Sequence, residues 1–368
     1  MSGLEALAKN IIEHSCSVQR GEKVYIFAEG LEAKPLVLEL VKQLYGCGAE
    51  PYVEVIDTDI QKEFLRGSNA EQVDMLGEFR LAMLKKMHCL IAISALENPY
   101  VYAGIPLEKM AAYNKSVMQK CIFEYAVMNT RWISLKYPTN AMAVMSGKNR
   151  EDFESFYYAV CGADYKEMSR RMDRLKEYFE RTDRVRIVAR DTDLSFSIKG
   201  IAVQKSDGKN GLPDGEVFTA PVRDSANGQI RFNVPVYFRG TLFEDIFLEL
   251  KNGRIVRAEA NDSAKLNAIF DQDTGGRFLG EFAMGVNNRI KTPMKDILFD
   301  EKIGGSIHLA VGNSYLTTDN GNHSRIHMDI VQLQTPEFGG GEVWFDGTLI
   351  RKDGRFVPDD LKGLDEVL

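Results

Sequence analysis

Lys23-Val24-Tyr25-Ile26-Phe27-Ala28, a helical stretch over 33–45 closed by Gly46 and Gly48, and Pro51-Tyr52-Val53-Glu54-Val55-Ile56 decide the fold of the first half. Two apolar runs bounded by turn residues and separated by a helix read as strands of a β-α-β unit. Such strands run parallel and are joined by a right-handed crossover. Working outward, residues 1–18 carry the stripe Leu4, Leu7, Ala8, Ile11 and Ile12, which predicts a helix ahead of the first strand. Downstream, a helix around 69–87 leads into the apolar strand Cys89-Leu90-Ile91-Ala92-Ile93-Ser94. More helix, a strand near Arg131-Trp132-Ile133-Ser134-Leu135 and helices over about 149–180 complete an α/β first half.

The texture changes after Arg181. Short alternating segments follow: Arg184–Ala189, Leu194–Ile198, Gln229–Val234, Gly240–Leu250 and Arg254–Ala260. Asn252-Gly253 between the last two is a type I′ hairpin signal. A helix over about 262–280 is expected, with Leu279-Gly280-Glu281-Phe282 at its end, and another after Gly285. The expectation is an α/β N-terminal domain (1–182) with a largely parallel sheet. It is followed by an α+β C-terminal domain (183–368) with mainly antiparallel strands carrying the functional site.

The chain of 368 residues is 44% hydrophobic and 27% charged, enough to bury two ordinary cores. Its net charge of −7, with no block of Lys or Arg, argues against nucleic acid and anionic membranes as partners. The N-terminus lacks a basic segment followed by an apolar one, and no apolar run is long enough to span a bilayer. Five cysteines, odd in number and without a C-x-x-C, read as reduced thiols of a cytoplasmic protein.

Only five histidines occur, and three of them fall between 308 and 327. His308 lies in Ile307-His308-Leu309-Ala310-Val311, and His327 in Ile326-His327-Met328-Asp329-Ile330-Val331. On a strand, side chains two apart share a face, so His327 and Asp329 project together. Glu216, after a Pro-Asp-Gly turn, Glu281 and Tyr315 extend the set to two histidines, three carboxylates and a phenol. That composition suits two divalent ions bridged by a carboxylate and a water. Each element has a plainer explanation: a buried histidine on a carboxylate, a turn-flanking Glu216, an exposed helix-end Glu281, a rim Tyr315. His323 and His327 form H-x-x-x-H, but Ser324 stands where a zincin needs Glu, so His323 is left as a residue supporting the site or at its rim, or as part of a solvated loop. Gly46-Cys47-Gly48 is a helix stop, not a dinucleotide loop.

Read in order, these motifs closely resemble the M29 family of metallo-aminopeptidases, the thermophilic AmpS-like group. Glu216-Val217-Phe218-Thr219-Ala220-Pro221 looks like the family's E-V-F-T-A-P block, with Arg223-Asp224-Ser225 and Asn227-Gly228 after it. Gly240-Thr241-Leu242, Asn252-Gly253-Arg254, Leu279-Gly280-Glu281, His308-Leu309-Ala310-x-Gly312-x-x-Tyr315 and Asn322-x-Ser324-x-x-His327-x-Asp329 follow. Looser agreement comes from Arg20-Gly21-Glu22, Gly48-Ala49 and Thr192-Asp193-Leu194. The shorter interval between Tyr315 and His327 points to a compact branch of the family.

The resemblance implies Glu216, Glu281, His308, Tyr315, His327 and Asp329 as metal ligands, with Glu216, Glu281 and Tyr315 also serving catalysis. It implies two divalent ions (zinc or cobalt, with manganese or magnesium compatible), a homodimer, and release of N-terminal amino acids from peptides with a free N-terminus. Two alternatives stay open: a catalytically degenerate, metal-dependent peptide-binding protein, and a redox di-metal oxidase. Histidines on strands rather than on bundle helices count against the oxidase.

Overall fold

The computed structural model describes residues 2–98 and 100–368, which form two compact units: one within the first 163 residues together with 208–212, and one of 164–207 with 213–368. In the first, strand Lys23–Glu29 lies between Glu50–Ile56 and Cys89–Ser94, followed by Arg131–Lys136 and the short Gly211–Leu212. Every pairing in this sheet is parallel. The central strand buries Val24, Tyr25, Ile26 and Ala28. Helix Lys34–Gly46 buries Leu36, Val37, Leu40 and Leu44, one face at helical spacing, and carries Pro35 in its first turn, where a missing N–H costs nothing.

The second unit holds an eight-stranded antiparallel sheet in the order Arg254–Glu259, Phe247–Lys251, Asn227–Arg231, Thr192–Ser197, Arg184–Ala189, Glu342–Phe345, Thr348–Lys352, Arg355–Phe356. Asn252 (φ 49°) and Gly253 (φ 78°) make the expected tight turn between paired Lys251 and Arg254. A five-stranded antiparallel sheet runs His327–Leu333, Ser306–Gly312, Leu279–Gly285, Glu216–Thr219, Gln204–Ser206. Helix Tyr165–Glu180 groups with this unit, burying Tyr165, Met168, Met172, Leu175 and Phe179.

Two local expectations are corrected. The helix expected over 262–280 stops at Phe270, because Asp273 accepts hydrogen bonds from the Gly275 and Gly276 amides and turns the chain. Leu279–Gly285 is then a strand buried at every residue, so Glu281 stands mid-strand rather than at a helix end. Wholly buried strands show no alternation, and a buried strand and a buried helix look alike in sequence. After Gly285 the only helix before the His308 strand is the single turn Ile297–Asp300.

Candidate metal centre

Register in the five-stranded sheet decides which side chains meet. Glu216 pairs with Gly285, Ala283 with His308, Glu281 with Ala310, and Ala310 with Asp329. Directly paired residues, and residues two apart, share a face. Glu216, Glu281, His308, His327 and Asp329 therefore all project from one side of the sheet. Small Ala283, Ala310 and Gly285 between them leave room for the longer chains. On the opposite side Phe282 packs against Phe179 (5.5 Å between centroids) and Phe196 (5.1 Å), anchoring the central strand in the core.

Glu281 is the hub. Its Oε1 lies 3.5 Å from His308 Nε2 and its Oε2 3.3 Å from His327 Nε2. His308 Nε2 is 3.6 Å from Glu216 Oε2, and His327 Nε2 is 3.3 Å from Asp329 Oδ1. Three trios of donor atoms converge: Glu216–Glu281–His308, Glu281–His327–Asp329 and Glu301–His308–Asp329. Glu216, Glu281 and His308 are buried, while His327 and Asp329 stand at the mouth. Tyr315 is 47% exposed there, its ring 4.7 Å from that of His327 and 5.8 Å from that of Phe218.

The loop before His327 is tied down by its asparagines. Asn322 donates to the carbonyls of Gly275 and Gly312, and Asn320 to those of Pro221 and Leu279. His323 is exposed, in keeping with either a rim or a solvated-loop position. Thr192 accepts hydrogen bonds from the Arg231 amide and Gln332, and Asp193 pairs with Arg186, so this pair has a structural role.

Two residues of the cluster escaped the sequence reading. Lys302 donates its Nζ to Glu216 Oε1, lies 2.7 Å from Glu301 Oε1 and 3.8 Å from Asp214 Oδ1, and is buried. Asp300-Glu301-Lys302 reads as a solvated charged turn, and the one available signal was its position just before Gly304-Gly305 and the His308 strand.

Electrostatics follow from this crowding. Burial pushes the Glu216 carboxyl up, with Lys302 and His308 opposing, and pushes Glu301 up to about 8 against the pull of Lys302. Burial also acts to raise Glu281 and Asp329, but the facing imidazoles outweigh it and both end lowered. Against burial, Glu216 and Glu281 lift His308 to about 10, and Asp329 and Glu281 lift His327 to about 11. Burial and the surrounding carboxylates raise Tyr315.

Glu216 Oε2, His327 Nε2 and Asp329 Oδ1 are buried without a hydrogen-bond partner. Imidazole and carboxylate donors converging in trios fit a divalent cation, and His327 Nε2 and Asp329 Oδ1, together in one trio with Glu281, are placed to be used by it.

Comparison with known proteins agrees. The family model "Thermophilic metalloprotease (M29)" matches residues 2–356. Aminopeptidase 2 of Geobacillus stearothermophilus is 24% identical over 96% of this chain and 95% of its own. The structure of AmpT from Thermus thermophilus superposes with a TM-score of 0.76 at 24% identity, covering 97% of this chain and 99% of that one. A 2,5-dihydroxypridine dioxygenase from Pseudomonas putida KT2440 shares the fold with a TM-score of 0.63 at 12% identity, over 98% of this chain and 99% of its own. Fold likeness at that distance says nothing about the reaction. The match over nearly the whole chain, with a clustered donor set of the matching chemistry, places this protein in the M29 family of thermophilic metalloproteases, as a metal-dependent hydrolase of peptides.

Proposed function

We propose that the chain removes amino acids one at a time from the free N-terminus of peptides, with Glu216, Glu281, His308, Tyr315, His327 and Asp329 as the metal-binding and catalytic set. The observation that carries this reading is the convergence of Glu216, Glu281 and His308, and of Glu281, His327 and Asp329, into two adjoining trios of donor atoms on one face of the sheet. The names of the relatives, all aminopeptidases, supply the direction of cleavage. Zinc or cobalt suits the imidazole–carboxylate set, and manganese or magnesium is compatible with its oxygen-rich part. A divalent ion held by these residues would supply Lewis acidity for the scissile carbonyl and for water.

The protein groups do the rest. Glu281 holds both imidazoles in place from the middle of its strand. Glu301, a buried carboxyl beside His308 and Asp329 whose proton affinity is raised to about 8, is placed to take the proton of the attacking water and return it to the leaving amine. Tyr315, at the mouth, offers its phenol to the developing oxyanion. A free α-amino group is attracted by the net negative charge of the carboxylate cluster, which favours an N-terminal over an internal bond. The complete donor set argues against a degenerate, binding-only protein.

The reading extends to a cytoplasmic homodimer, which light scattering of the purified protein tests. Among the described residues no helix is long and apolar enough to cross a membrane. The deciding experiment is leucine release from a leucine-headed peptide by chelator-stripped protein titrated with zinc, then cobalt. Metal-restored release of the first residue alone supports the proposal; stoichiometric binding without release of any residue defeats it.

A further inference from the structure

We infer that the Lys302 ammonium supplies the second positive charge of this centre, so that each chain holds one divalent ion, at Glu281, His327 and Asp329, rather than two. The inference rests on the metal-dependent reading of the same site and narrows it, leaving Glu216, His308 and Tyr315 to act beside the ion rather than as its ligands.

The donor set is unequal at its two ends. At the mouth, Glu281 Oε2, His327 Nε2 and Asp329 Oδ1 converge, and among the described residues no lysine or arginine ion-pairs with either carboxylate. The His327 ring is fixed from behind, its Nδ1 2.7 Å from the Asn313 carbonyl oxygen, which leaves Nε2 as the acceptor that a metal requires. His308 has no such support: its Nδ1 is buried without a partner.

At the inner end a cation of the protein is already in place. Lys302 Nζ engages Glu216 Oε1 and Glu301 Oε1. Both remaining trios, Glu216–Glu281–His308 and Glu301–His308–Asp329, contain one of these two carboxylates. A second dication would share its ligands with an ammonium, and like charges on shared carboxylates repel strongly in a buried site.

Nor can Lys302 easily withdraw. Its amide donates to the Phe299 carbonyl (3.1 Å) and its carbonyl accepts from the Asn287 amide (2.9 Å). The 302–303 backbone lies so close to the site strand that a Cβ on Gly285, the residue paired with Glu216, would sit 2.4 Å from the Ile303 carbonyl oxygen. The lysine stem is thereby held against the inner carboxylates.

The test is zinc stoichiometry in folded, full-length protein, stripped with chelator, reloaded with excess zinc, gel-filtered and analysed by elemental mass spectrometry. One zinc per chain is expected in the wild type, none in Asp329→Asn, and two in Lys302→Met. Glu216→Gln provides a check that leaves the lysine in place: it should retain its one zinc, whereas a two-ion centre would lose one of two. Cobalt titration followed by visible absorbance should reach its end point at one equivalent in the wild type. Two zincs in the wild type, or one in a folded Lys302→Met, would overturn the inference. A folded wild type that binds no zinc would refute the metal-dependent reading itself, and the inference with it, an outcome distinct from finding two.

Discussion

His327 Nδ1 lies 2.7 Å from the backbone oxygen of Asn313, the residue that opens the loop leading back to the His327 strand. The contact fixes the tautomer, so the loop orients the ring on behalf of the centre. His327→Ala removes a donor that no neighbour can replace, and zinc affinity should fall at least ~100-fold. Competition with a chromogenic chelator measures it; an unchanged affinity would take His327 out of the centre.

Without an ion, His308 and His327 hold their protons up to about pH 10 and 11, because facing carboxylates favour the imidazolium. A metal binds only the neutral ring. Binding at pH 7 should therefore release protons, and affinity should rise with pH. Calorimetric zinc titration in two buffers of different ionisation enthalpy should give different apparent heats. Identical heats would contradict the charge state described.

Glu216→Gln preserves shape while removing the charge that faces His308 and holds Lys302. Peptide turnover should drop by at least ~10²-fold. Near-normal turnover by this variant with metal bound would remove Glu216 from the machinery.

Burial pushes the Asp300 carboxyl up to about 7, while its oxygen still accepts the Met294 amide. The folded state keeps a proton that the unfolded chain gives up near pH 4, so this group's contribution falls as pH rises from about 4 to about 7. Asp300→Asn, uncharged throughout, should gain on the wild type across that window, by about 1–3 kcal/mol at pH 7.5. Urea midpoints of both proteins at pH 4.5 and 7.5 give the answer; parallel behaviour would place the carboxyl in a wetter setting.

Arg351 is fully buried and donates to the carbonyls of Ser306 (2.6 Å) and Gly285 (3.3 Å), at adjoining ends of two site strands. Arg351→Ala leaves both carbonyls unmatched and opens a void, costing about 2–4 kcal/mol of stability. Chemical denaturation reads this directly, and a loss below ~1 kcal/mol would mean that the strand ends do not depend on it.

Much of this was legible along the chain. The parallel sheet of the first unit is written in apolar runs separated by helices with clean stops, and Asn252-Gly253 announces its hairpin by chemistry that few other pairs can supply. The residues proposed for the site could be listed from the sequence, and the fold brings five of them together, because His327-x-Asp329 has strand spacing and the motifs occur in a recognisable order. Glu281 lies beside the other candidate donors, but on a strand rather than the expected helix end, since a strand buried on both faces loses the alternation that distinguishes it from a helix.

The amino-acid sequence by itself determined the alternation of elements, the family pattern and the residue types of a metal centre, because local periodicity and motif order are properties of neighbours along the chain. Only the tertiary structure decided that Lys302 and Glu301 reach Glu216 and His308, and that Gly285 lets the 302–303 backbone lie against the site strand. Those contacts depend on strand register and loop course, which bring together residues 86 positions apart that no local pattern connects.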